Sequence, residues 1–140
     1  MSRKQTPVVG FHHCSLIVAD TGRALEFYCG ILGLELDASR PEMAYKGAWL
    51  KLDAAESGGG STCSGGQIHL LELPNPDPVT GRPEHGGRDR HLALRVSDLD
   101  TLVSRLEQAS IPYTLSRSGR AALFCRDYDA NAIELIGPQA

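Results

Sequence analysis

The order of hydrophobic and polar positions in the second half of the chain predicts a strand followed by a helix. Alternate positions of the segment His91–Val96 are aliphatic, which is the pattern of a strand with one buried face. Aliphatic residues then recur every three or four positions from Leu99 to Leu106, the spacing of an amphipathic helix. Ser97 or Asp98 is placed to cap this helix, because a short side-chain oxygen accepts a free backbone N–H group.

Three further strands are predicted after this helix. Pro112 ends the helical pattern, since proline cannot donate a hydrogen bond within a helix. Short apolar runs separated by turn-forming residues follow at 113–115, 121–125 and 132–136. Together these elements form a β-α-β-β-β module.

The first half of the chain repeats the same order of elements. A strand at 11–18 and an amphipathic helix at 20–31 precede strands at 34–36, 48–52 and 67–73. The fold prediction is therefore α+β in one domain, residues 1–140, with two mixed sheets that curl around an open face and carry their helices outside. The modules span residues 11–73 and 91–137, and a proline- and glycine-rich linker, 74–90, joins them. The glycine- and serine-rich stretch 54–66 predicts a floppy hairpin tip.

Composition narrows the class of protein. At 140 residues and 41% hydrophobic content, the chain can bury the core of one domain. A net charge of -3 argues against nucleic acid as a partner. Apolar runs are too short for a membrane span, and the polar N-terminus has no apolar signal core, so we expect a cytoplasmic protein.

A histidine opens each module and a glutamate closes it. His13 and His91 occupy equivalent first-strand positions, and Glu72 and Glu134 occupy equivalent last-strand positions. Imidazole and carboxylate are good ligands for divalent metals of intermediate hardness. One such pair on a strand is more often a solvated or satisfied polar pair, but two equivalent pairs predict a metal site with four ligands in one cleft.

Strand alternation assigns a face to the residues beside these four. His13 points away from Leu16 and Val18, which must face the helix layer. Glu72 shares its parity with Leu70 and Ile68, and His69 has the opposite parity. We therefore expect His69 to face the helix layer or the sheet edge and not to act with Glu72.

Arginines suggest a site for an anion. Arg90, in the linker, and Arg117 and Arg120, in the segment SRSGR, carry guanidinium groups that suit carboxylate or phosphate. Arg95 shares a strand face with His91. The competing interpretation is that linker and loop arginines form surface ion pairs with Glu84, Asp89 or Asp127. Substrate binding by Arg90, Arg95, Arg117 and Arg120 is the prediction.

Four segments resemble the vicinal oxygen chelate superfamily, which includes glyoxalase I, methylmalonyl-CoA epimerase, extradiol dioxygenases, and the fosfomycin and bleomycin resistance proteins. They read HHCSLIVADTGRALEFYCGILGLEL, HLLEL, RHLALRVSDLDTLVSRLEQASIPY and CRDYDANAIELI. The last contains the more specific D-x-D-x-N-x-x-E-L ending, although tyrosine and alanine replace the common proline and glycine. The resemblance implies that His13, Glu72, His91 and Glu134 hold a divalent metal (Ni, Zn, Co, Mn or Fe) and that the protein is a homodimer.

The resemblance favours a metal-dependent lyase or isomerase that acts on a small anionic carbonyl compound. The metal would stabilise an enediolate, while Glu134 or Glu72 moves the proton. An iron-dependent extradiol-type dioxygenase is an alternative, although its two histidines and one glutamate leave the fourth ligand unexplained. A metal-free small-molecule binding or resistance protein is the other alternative.

Overall fold

The computed structural model describes residues 6–52 and 65–139, and the predicted hairpin tip lies largely outside these ranges. The first module contains five elements: β1 (His13–Val18), α1 (Thr21–Leu25), β2 (Glu35–Leu36), β3 (Gly47–Lys51) and β4 (Gln67–Glu72). The second contains β5 (His91–Arg95), α2 (Leu99–Gln108), β6 (Tyr113–Leu115), β7 (Ala122–Arg126) and β8 (Ala132–Ile136). The predicted α+β fold of two β-α-β-β-β modules is confirmed.

The two sheets have the same topology. Their strand orders are β1-β4-β3-β2 and β5-β8-β7-β6, and in each sheet the first strand pairs in parallel with the last. The other neighbouring strands are antiparallel. Because parallel pairing needs a crossover connection, each helix covers one face of its own sheet and leaves the opposite face open.

One apolar core joins the two modules. Side chains from α2, including Leu102 and Leu106, and from the first module belong to the same buried cluster. The predicted helix 20–31 is divided, because α1 passes into a π-helical segment, Glu26–Ile31. In this segment the consecutive residues Phe27 and Tyr28 are both fully buried. Of the two predicted capping residues, Ser97 and Asp98, it is Asp98 that caps α2, by accepting a hydrogen bond from the Thr101 N–H.

No helix in the described ranges has the length and apolar character that a membrane crossing requires.

A buried carboxylate fixes the turn between β7 and β8. Asp127 accepts hydrogen bonds from the Tyr28 hydroxyl at 2.6 Å, from two backbone N–H groups and from the Asn131 side chain. The Asn131 amide also donates to the Ile17 carbonyl at 3.1 Å, which ties the second module to β1. Burial raises the pKa of the Asp127 carboxyl, and the donors partly offset this effect. The D-x-D-x-N sequence is therefore a structural joint between the modules.

Replacing Tyr28 by phenylalanine is expected to destabilise the protein by about 1.5–3 kcal/mol, because a buried carboxylate loses a charge-assisted hydrogen bond. Urea unfolding measures the change. Tyr128→Phe is the matched control, since Tyr128 is exposed, and it is expected to shift the free energy of unfolding by less than about 0.5 kcal/mol. Equal effects of the two substitutions would contradict a stabilising role for the hydrogen bond between Tyr28 and Asp127.

Candidate metal centre

His91 and Glu134 meet on the open face of the second sheet. The register of β5 and β8 pairs Ala93 with Glu134, so His91 lies two positions away on the same face. The distance from His91 Nε2 to Glu134 Oε1 is 3.3 Å. The Glu134 side chain is only 4% exposed, so this carboxylate depends on nearby protein groups for its interactions. His91 and Glu134 are therefore neighbours, as predicted.

Hydrogen bonding fixes which nitrogen of His91 carries the proton. Nδ1 lies 2.9 Å from the backbone carbonyl oxygen of Asp89, which can only accept, so Nδ1 donates. In the neutral imidazole, Nε2 then presents a lone pair toward the Glu134 carboxylate. Two acceptors facing each other at this distance require a proton or a cation between them. Donation from the second nitrogen to a backbone carbonyl is also typical of metal-binding histidines.

Two arginines position the carbonyl that orients His91. The Asp89 carboxylate accepts two hydrogen bonds from Arg82, at 2.8 and 2.9 Å, and one from Arg126 at 2.9 Å. The Arg82 hydrogen bonds are the first cause of an Asp89 pKa well below its usual range, so the group is ionised at neutral pH. Arg82 and Arg126 are therefore structural, and the ion-pair interpretation of the linker arginines holds for Arg82.

The first module does not place Glu72 beside His13. Strand β1 pairs His13 with Gln67, whereas Glu72 lies opposite Val18 at the far end of the ladder. Glu72 Oε1 instead accepts a hydrogen bond from the Thr21 N–H at 2.8 Å, at the start of α1. The expected neighbourhood is wrong because the two strands run parallel, so the start of one cannot lie beside the end of the other. Glu72 also has the parity of the buried residue Leu70 and so faces the helix layer.

His69, and not Glu72, is the residue of β4 that lies beside His13. Its ring stacks on the His13 ring, with centroids 3.9 Å apart, and on the Trp49 ring, with centroids 4.5 Å apart. The prediction that His69 faces the helix layer or the sheet edge is therefore wrong, because β4 is an inner strand and His69 lies on the same side of the sheet as His13. The signal was present in the sequence, since His69 alternates with the core residues Ile68 and Leu70 as His13 alternates with Leu16.

A polar chain fixes the proton on His69. The Gln67 amide nitrogen donates to Asp37 at 2.7 Å, so the Gln67 oxygen faces His69 Nε2 at 2.8 Å and accepts a hydrogen bond from it. Nδ1 is then the nitrogen with a free lone pair. Burial first, and then the charges of His13 and His12, lower the pKa of His69, which favours the neutral ring that binds cations.

His13 has one nitrogen engaged by its neighbour. Its Nδ1 lies 2.8 Å from Nδ1 of His12, so one of these two nitrogens carries a proton. Nε2 of His13 takes no part in this contact. The parallel stacking of His13 and His69 directs their in-plane lone pairs along separate planes, so one ring must turn before both bind the same cation.

The four side chains form two pairs in different sheets. Across residues 6–52 and 65–139, no three side chains of His, Cys, Asp or Glu lie together as a set that could hold a metal ion. Each pair offers two donors, whereas even catalytic zinc sites, which keep one position open, use three protein ligands. The residues present fit half of a metal centre in each module.

The predicted substrate-binding arginines have different surroundings. Arg90 pairs with Asp77 at the surface, but with His91 it lines a cavity of about 500 Å³. Arg120 donates to Glu134 Oε2 at 2.7 Å. Arg95 is exposed and lines another cavity. Arg117 is exposed, and after burial its charge is the next cause of the lowered pKa of His85.

His85 is a buried polar residue beside the second-module pair that the sequence did not single out. Its Nδ1 lies 2.6 Å from the Thr114 hydroxyl, and its ring packs against Phe124 with centroids 4.9 Å apart. The His91 ring packs against the same Phe124, with centroids 5.1 Å apart. His85 therefore helps to hold the phenylalanine that supports His91.

Comparison with known proteins gives consistent relationships. A model of the Glyoxalase/Bleomycin resistance protein/Dioxygenase superfamily matches residues 10–135. The uncharacterized protein YaeR of Escherichia coli is 33% identical over 134 residues, which cover 89% of this chain and 92% of YaeR.

Two solved structures share the fold. One is a variant of the fosfomycin resistance protein FosX from Listeria monocytogenes, in complex with Mn(II) and 1S,2S-dihydroxypropylphosphonic acid. It has a TM-score of 0.66 and 19% identity, with 94% of each chain covered. The other is lactoylglutathione lyase from Agrobacterium tumefaciens, with a TM-score of 0.59 and 21% identity. It covers 94% of this chain and 96% of its own. At these identities the likeness shows the fold alone.

Proposed function

Because the chain belongs to the Glyoxalase/Bleomycin resistance protein/Dioxygenase superfamily, we propose that it is a metal-dependent lyase or isomerase that acts on a small anionic carbonyl compound. The observation that carries the proposal is the contact between His91 Nε2 and Glu134 Oε1 at 3.3 Å, with Nδ1 of the same ring 2.9 Å from the Asp89 carbonyl oxygen. The structural relatives include a lyase and a resistance protein with Mn(II) bound, which supports metal chemistry on this fold.

The proposed ligands are His13 and His69 from the first module and His91 and Glu134 from the second. His69 takes the place that Glu72 had in the sequence prediction, because His69 lies on the open face beside His13. A divalent metal bound there supplies Lewis-acid polarisation of a carbonyl oxygen. Glu134 is the carboxylate that would accept a proton from the substrate carbon. Glu72 does not serve in this role, because it accepts a hydrogen bond from the Thr21 N–H at the start of α1.

We propose that the complete site forms in a homodimer. The two pairs of ligands are on different sheets, and a two-fold axis can bring the first-module pair of one chain opposite the second-module pair of its partner. Such a dimer has two identical sites, each with four protein ligands. In this proposal, the predicted homodimer is required because neither chain alone brings all four ligands together.

Substitution of the two competing first-module residues tests the ligand set. His69→Ala is expected to weaken Mn(II) binding by about tenfold, as loss of a ligand does, whereas Glu72→Gln should leave it within about twofold. The titration of free Mn(II) is followed by electron paramagnetic resonance. Strong loss of Mn(II) binding in Glu72→Gln, with none in His69→Ala, would restore the set predicted from sequence.

An iron-dependent ring-cleaving dioxygenase is the second candidate function. With His69 in place of Glu72, the proposed set has one carboxylate, Glu134. Non-haem iron oxygenases also use one carboxylate, with two histidines, so this alternative needs only two of the three histidines as ligands. Elemental analysis of the purified protein separates the candidates. Nickel, zinc, cobalt or manganese supports the lyase or isomerase, iron supports the dioxygenase, and failure to contain or bind metal supports the small-molecule binding protein.

A further inference from the structure

Arg120 holds the same carboxylate that the proposed metal needs. The Glu134 side chain is 4% exposed and has two neighbours: Arg120 NH2 at 2.7 Å from Oε2, and His91 Nε2 at 3.3 Å from Oε1. The guanidinium of Arg120 is always protonated, so it is the permanent positive charge beside this carboxylate. In the absence of metal, the positive charge that neutralises Glu134 therefore comes from the Arg120 guanidinium.

The two members of this ion pair differ in how easily they can separate. Arg120 comes from the connection between β6 and β7, and its side chain is 50% exposed. Glu134 is the only carboxylate that it contacts among the residues that the structure describes. Arg120 can thus turn into solvent at small cost, whereas Glu134 lies on a central strand and cannot. A divalent cation on Glu134 would repel the guanidinium, so the two cations compete.

The surroundings of Arg120 are suited to an anion. Arg117 is in the same connection, and Arg88 lies in the short 3-10 helix Gly86–Arg88. The His85 and His91 rings pack against the same Phe124 ring, and after burial the charges of Arg117 and Arg88 are the next causes of the lowered pKa of His85. A guanidinium released from Glu134 would remain in the same connection as Arg117, and guanidinium groups suit a carboxylate, phosphonate or sulfate group as bidentate donors.

From this competition we propose that Arg120 has two alternative partners, the Glu134 carboxylate and the anionic group of the substrate. When a divalent cation binds Glu134, Arg120 leaves this carboxylate and binds the substrate anion. This inference rests on the proposed function, because it assumes that Glu134 is a metal ligand. It predicts that the cation and the anion bind with positive coupling, each improving the affinity of the protein for the other by the same factor. The substrate class follows as a compound whose anionic group is close to its metal-binding oxygen.

Mn(II) titrations of the whole protein, with and without sulfate, test the proposal. Arg120→Gln removes the competing charge and is expected to bind Mn(II) about fivefold more tightly than the wild type. Sulfate should tighten Mn(II) binding to the wild type by about the same factor and have no effect on Arg120→Gln. Arg120→Lys retains the charge without the planar fork, so its Mn(II) affinity should match the wild type with a weaker sulfate effect.

Arg105→Gln is the matched control, because Arg105 is an exposed arginine of α2 that donates to the Ile31 carbonyl on the helix side. It should behave as the wild type in both titrations. Weaker Mn(II) binding in Arg120→Gln would overturn the proposal, since Arg120 would then support Glu134 as a ligand. An equal sulfate effect in the wild type and Arg120→Gln would overturn it as well. Absence of Mn(II) binding to the wild type would remove the metal centre itself, which distinguishes failure of the proposed function from failure of this inference.

Discussion

A mixture of His13→Ala and Glu134→Gln proteins is expected to recover about a quarter of the wild-type metal sites after subunit exchange, although neither variant alone binds metal well. In the proposed homodimer, each site combines the first module of one chain with the second module of the other. A heterodimer of the two variants has one site with both defects and one with neither. Random exchange makes about half of the dimers heterodimers, and each contributes one intact site.

Purified heterodimers sharpen the measurement. Co-expression of the two variants with different affinity tags should yield a protein that binds about half as much Mn(II) per chain as the wild type. The matched control combines His91→Ala with Glu134→Gln, which both alter the second module. Every site in that heterodimer has one defect, so no recovery is expected. Failure of the first mixture to recover, with demonstrated exchange, would place each site within one chain.

Glu134→Gln is expected to lower metal affinity by about tenfold or more, because the carboxylate is the charged ligand of the set. The substitution keeps the volume of the side chain and removes a charge that is 4% exposed. A tenfold loss of affinity reduces the stabilisation by excess metal by about 1.4 kcal/mol. Thermal melting with and without a chelator measures this difference.

The chelator-treated proteins distinguish a metal ligand from a structural ion pair. Without metal, Glu134→Gln should be at least as stable as the wild type, because a buried negative charge has gone and Arg120 is half-exposed to water. If Glu134 serves only to pair with Arg120, the variant should instead melt at a lower temperature while its metal content is unchanged. A wild-type protein that is insensitive to chelator would likewise remove the metal site from this interpretation.

The alternation of residues along the chain was sufficient to predict the fold. Apolar periods of two and of three to four residues recur in the same order in both halves, and these periods specify strands and helices locally. The Asp98 cap and the strand Ala132–Ile136 agree with the structure for the same reason, since each depends on residues within a few positions. The π-helical segment was missed because its wider turn keeps Phe27 and Tyr28 together in the core, which the spacing of an α-helix does not predict.

Which residues meet across strands was decided by the tertiary structure. The sequence identified His91 and Glu134 correctly as neighbours, but the same argument failed for His13 and Glu72, because the register places them at opposite ends of a parallel pair. Parity in the sequence already excluded Glu72 from the open face and placed His69 on it. The tautomers of His91 and His69, and the hold of Arg120 on Glu134, depend on contacts between residues distant in the chain. A local pattern determines which way a side chain points, whereas only the packed sheets determine what it touches.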